Sequence, residues 1–176
     1  MARPSPPRSN TKMNNIETYK KFVRDLYVDK DKGHDFSHIE RIISRIDELS
    51  DGIDPSPKPH RLYFLACFHG LNKQLQGNNE IKNQTIKLLL SIGWGQKEIE
   101  SIFLSLARHI TEPCTVEEMI VYDANFFEVL GPFGIAKAFT VGGARGQSYE
   151  QTADIFSSNI EKVVFKTPAG ISYILS

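Results

Sequence analysis

The chain is poor in the residues that staple, anchor or strongly charge a protein. Its two cysteines, Cys67 and Cys114, form neither a disulfide framework nor a C-x-x-C pair. That usage suits a reducing compartment, with Cys67 read as core because it lies in an apolar run. Charge of one sign is also lacking: 21 basic and 21 acidic residues give a formal net charge of zero. Nothing global draws the chain to nucleic acid or an anionic membrane, so any anionic ligand needs a local site. The longest apolar run, LYFLACF, is too short to span a bilayer. Alternating stretches long enough for paired strands are absent, as is an internal repeat.

What is present is helical periodicity over a length suited to one domain. Residues 1–15, rich in Pro, Ser and Arg without an apolar core, read as a disordered leader, and residues 16–176 as one helical domain. Ile16, Tyr19, Val23 and Leu26 mark a first helix ending near Gly33. A second starts at HDFSH, capped by Asp35 or Ser37, and carries Ile39, Ile42, Ile46 and Leu49. Residues 51–60 are a proline-rich linker. After Pro59, Leu62, Leu65, Ala66 and His69 share one face, which predicts a buried His69. Residues 70–79 read as a loop or frayed helix end.

Ile81 to Ile92, stopped at Gly93, and Ile99 to Ile110 are two further amphipathic helices, the second placing His109 on its apolar face. Thr115 and Glu118 match a capping box for a helix whose inward positions include Ile120, Asp123 or Ala124, and Phe127. Gly131-Pro132 interrupts it. GIAKAF then reads as a short helix, VGGARGQ as a flexible turn, and Tyr149 to Val164 as a long helix before an apolar tail, ISYILS. The expectation is an all-α bundle of about seven or eight helices located in the cytoplasm.

Asp123 is the residue that demands an explanation, because an acid on an apolar face must be neutralised. Arg41 or Arg108 could pair with it. Alternatively it could join His38 and His69, which sit beside apolar stripes on two other helices, in a metal site. Two imidazoles and a carboxylate suit one divalent ion, Mn, Fe, Ni, Zn or Mg. For each histidine, a hydrogen-bonded core role stands beside the ligand role. His34 and Asp35 read as capping and positioning groups, with support of a ligand as the alternative. Lys73, Lys137 and Arg145 are the cations expected to face an anionic ligand, Arg145 because it lies in the glycine-rich turn.

The blocks GHDFSHIERI, FLACFHG, RHITEPCTVEEMIVYDANFFEVLGPFGIAKAF and VGGARG, in that order, resemble the HD-domain metal-dependent phosphohydrolases, especially small single-domain members. The resemblance implies a first histidine, His38, a His-Asp pair beginning at His69, and a distant aspartate, Asp123, holding one or two metal ions. The metal would activate water against a phosphate ester of a nucleotide or small phosphorylated metabolite. His109 falls where such proteins often hold the substrate phosphate, which with Asp123 makes it a catalytic candidate, although core packing explains it equally well. A homodimer is compatible with this reading.

The chain departs from the family pattern. Gly70 stands where the paired aspartate belongs, and Asn125-Phe126 where an Asp-Arg pair is common, while Glu128 retains an acid one turn further on. These losses set a second expectation beside the first: an inactive HD-fold protein that binds a nucleotide or a partner protein.

Overall fold

The computed structural model describes residues 8–175. Among them are ten α-helices, two 3₁₀ turns and no strand. The helices are α1 (Arg8–Val23), α2 (Phe36–Ser50), α3 (Pro59–Phe68), α4 (Asn72–Gly77), α5 (Asn79–Ser91), α6 (Gln96–Arg108), α7 (Val116–Phe126), α8 (Gly131–Ala144), α9 (Tyr149–Ile160) and α10 (Pro168–Leu175).

The centre is α3. Pro59 occupies its first turn, where its missing N–H costs nothing, and every residue from Arg61 to Phe68 is buried. A helix buried all round needs partners on every side, and α1, α2, α6 and α7 supply them. Phe64 and Phe68 stack with centroids 4.2 Å apart, and Tyr19 of α1 meets both edge-on. Trp94 donates its indole N–H to the Tyr19 hydroxyl at 3.1 Å, so the single tryptophan enters the core with its polar atom satisfied.

The all-α architecture agrees with the expected one, and the additional helices arise at breaks and caps. Residues 72–77 form α4 because Leu75 has a core position to fill. The tail becomes α10, started by Thr167 and Asp123. Residues 8–15 lie in α1, while the first seven residues of the expected leader lie outside the described residues. The expected helix over 149–164 ends at Ile160, leaving Tyr149 and Val164 exposed.

The glycine-rich segment differs most from its reading. Instead of a flexible turn, Val141-Gly142-Gly143-Ala144 completes α8. A Cβ at Gly142 would run into the Thr152 side chain of α9. The glycine therefore serves a close helix–helix approach. Thr115 accepts from the Glu118 N–H as expected, but the Glu118 carboxylate is taken by Arg108 and the Cys114 N–H, so the reciprocal half of the capping box is absent.

Candidate functional site

Four of the five histidines lie in a row. Ring centroids are 5.8 Å apart for His34 and His38, 5.3 Å for His38 and His69, and 4.9 Å for His69 and His109. The row exists because each ring sits at a helix end. Asp35 accepts from Ser37 N–H and starts α2, placing His38 in its first turn, while His69 and His109 are the C-caps of α3 and α6.

Hydrogen bonds fix the tautomers. His109 Nδ1 lies 2.8 Å from the Leu106 carbonyl oxygen. A carbonyl only accepts, so that nitrogen carries the proton. Burial pushes His109 down to about 4, keeping the ring neutral and its Nε2 free to accept. His69 Nδ1, 2.8 Å away, is therefore the donor to His109. His69 is also held well below its ordinary range, by burial first and the neighbouring His109 second. Its Nε2 carries a lone pair. His38 donates Nδ1–H to Glu128 Oε2 at 2.8 Å, and burial keeps it neutral against the pull of that carboxylate. The His38 Nε2 is buried without a partner.

Glu128 is the hub. It accepts from His38, from Arg41 Nε at 2.6 Å and from Lys137 Nζ at 2.6 Å, with 4% of its side chain exposed. Burial opposes its ionisation, yet the His38, Arg41 and Lys137 contacts together hold it at about 2. Its place is legible afterwards as the acid one turn beyond Asn125, but no spacing in the sequence links it to His38, ninety residues earlier.

Asp123 is fully buried and occupied elsewhere. Its carboxylate accepts from Lys166 N–H at 2.9 and 3.1 Å, Thr167 N–H at 2.7 Å and the Thr167 hydroxyl at 2.6 Å. Burial raises its pKa despite these donors. Neither arginine considered for it is its partner, since Arg41 binds Glu128 and Arg108 binds Glu118.

The expected His38–His69–Asp123 set is consequently not assembled. Among the described residues no group of three or more His, Cys, Asp or Glu is placed to hold a metal ion. His38 and His69 can offer two nitrogen donors, Gly70 offers no carboxylate, and the Glu128 and Asp123 carboxylates are already engaged. The residues present do not fit the metal centre that the resemblance implies.

The other expected site residues divide. Lys137 reaches Glu128 and lies 3.5 Å from His38 Nδ1, while Arg145 reaches Asp31 loosely. Both line a pocket of about 250 Å³ beside the histidine row, walled by α8 and α9 and shared with His34, Glu128, Gln147 and Asn159. Lys73 is exposed and does not line it. His109 is fully buried and so positions His69 rather than meeting a phosphate. His69, expected to be buried, is half-buried at the C-cap of α3. His34 does not cap α2; Asp35 does, leaving His34 to face the pocket.

This fold places the chain in a recognisable structural class. No family model matches the sequence. The uncharacterized protein YpgQ of Bacillus subtilis is 25% identical over 143 residues, covering 74% of this chain and 67% of its own. The structure of YpgQ in complex with ADP superposes with a TM-score of 0.73 at 18% identity, covering 94% of this chain and 88% of that one. Lin1889 of Listeria innocua gives 0.70 at 22% identity, covering 92% and 86%. A Bacillus thuringiensis HD-superfamily hydrolase gives 0.67 at 21% identity, covering 90% and 86%. The chain has an HD-domain-like fold. Among the described residues no helix is long and apolar enough to cross a membrane.

Proposed function

We propose that this chain is an HD-fold protein that binds a nucleotide or small phosphorylated metabolite and has lost metal-dependent hydrolysis. One observation carries the reading: the acids that could complete a metal centre with His38 and His69 are committed elsewhere, Asp123 to the start of α10 and Glu128 to His38, Arg41 and Lys137. Gly70 leaves the remaining ligand position without a carboxylate. A hydrolytic centre of this kind needs a metal held firmly enough to lower the pKa of its water. Two imidazoles alone are a poor basis for that.

Binding is supported by the pocket. Val141, Ile155 and Phe156 give it apolar walls, Gln147 and Asn159 give it amide groups, and Lys137 and Arg145 give it cations. An apolar body with an anionic end matches that distribution. The ADP bound to YpgQ, a protein of the same fold, is the kind of ligand in question.

Metal analysis of protein purified without chelator, combined with phosphate release from a nucleotide panel in added Mn²⁺, Co²⁺, Ni²⁺ or Mg²⁺, tests the loss. The expected result is substoichiometric metal and no release above that of His38→Ala. Stoichiometric metal, or phosphate release that His38→Ala abolishes, overturns the reading.

A further inference from the structure

The two cations of the pocket each have a carboxylate beside them, and the two pairs differ in strength. Lys137 lies 2.6 Å from Glu128, with side chains 14% and 4% exposed. Arg145 lies 3.9 Å from Asp31, with side chains 58% and 35% exposed. The first pair is close and shielded from water. The second is beyond hydrogen-bond length and open to solvent and salt.

Asp31 contacts two of the lining residues, His34 and Arg145, without lining the pocket itself. Its Oδ1 lies 2.8 Å from His34 Nδ1 and accepts from the Gly33 N–H at 2.9 Å, while its Oδ2 faces Arg145. Gly33 makes this possible. A Cβ there would lie 2.5 Å from Val141 Cγ2 and 3.5 Å from Lys137 Cε, so only glycine brings the turn this close to α8. The turn thus holds a carboxylate that faces His34 with one oxygen and Arg145 with the other.

We infer that Asp31 is the resident counter-anion of a phosphate subsite, which a terminal phosphate group of the ligand displaces from Arg145 and His34. The inference rests on the binding function proposed above. The ligand takes the looser cation, and the Lys137–Glu128 pair stays closed. A terminal phosphate carries up to two negative charges against one on Asp31, so it wins the exchange. A phosphodiester or a carboxylate carries only one and gains little. The subsite thereby selects terminal phosphates.

Asp31→Asn separates this role from the turn, because the amide oxygen still accepts from the Gly33 N–H. Calorimetric titration of ADP and of inorganic phosphate at low salt should show the variant binding about three- to tenfold more tightly than wild type, with the gain shrinking as salt rises. Asp31→Ser, which also keeps an oxygen acceptor, should tighten binding likewise. In an Arg145→Gln background the gain should vanish. Unchanged or weaker binding by both variants, or an equal gain without Arg145, overturns the inference while leaving the proposed function standing if wild type binds. No binding of ADP or phosphate by either wild type or variant removes both.

Discussion

At the scale of single residues, Asp123 and Glu128 are two buried acids with different kinds of partner. Asp123 accepts only from groups at the start of α10, two of them backbone N–H. Glu128 accepts from an arginine, a lysine and a histidine. Removing the Asp123 carboxylate leaves several buried donors unpaired, each costing about 1–3 kcal/mol. Asp123→Ala is therefore expected to lower stability by about 3 kcal/mol in urea titration, with partial overlap among donors limiting the sum. A change below about 0.5 kcal/mol, the range of an ordinary surface substitution, contradicts the capping role. The sequence made Asp123 conspicuous as an acid among apolar neighbours. It could not show that backbone groups more than forty residues later satisfy it, because such donors carry no side-chain signature.

Among the elements, the close joints explain what spacing alone misread. Gly142 lets α8 meet Thr152 of α9, and Gly170 lets α10 reach Asp123, where an added Cβ would lie 2.5 Å from Oδ2. Gly170→Ala is expected to cost about 1–3 kcal/mol, the range for overpacking a tight site, and a thermal melt of the variant reads it. Glycine runs look alike in sequence whether they serve a turn or a helix contact. Only the neighbouring helix distinguishes the two.

The joint between α6 and α7 makes a pH prediction. Burial opposes ionisation of Glu118, but Arg108, the Cys114 N–H and Ser105 hold it at about 2, against an ordinary value of 4.5. A carboxylate whose pKa is depressed by folding contributes stability above its unfolded pKa and loses it as pH falls toward the folded one. Glu118's contribution is thus full above about 4.5 and fades between there and about 2. Glu118→Gln should flatten the stability–pH curve in that window. An unchanged slope would show that the Arg108 clamp adds nothing.

For the whole molecule, helical periodicity was enough to give the class, because apolar faces bury themselves in the same way whatever their order. His38 lies beside His69 and beside Lys137, whereas Asp123 is bonded at the start of α10 and Lys73 lies outside the pocket. Convergence across helices depends on packing angles and caps that spacing does not encode. The resulting molecule keeps the fold and a cationic pocket while its acids serve structure. Gly70 has room for a side chain, with Tyr27 Cε1 3.4 Å from an added Cβ. Gly70→Asp should therefore fold normally and raise bound Mn²⁺ above wild type; unchanged metal content would place position 70 outside the reach of His38 and His69.

The proposed function is binding without turnover. Isothermal calorimetry with ADP injected into the protein in the presence of Mn²⁺ reads both at once, since binding gives a saturable heat and hydrolysis a sustained one. A saturable isotherm that Arg145→Gln weakens is expected, with the baseline returning to zero after each injection. Sustained heat accompanied by phosphate release, or no binding heat at any concentration, would contradict it.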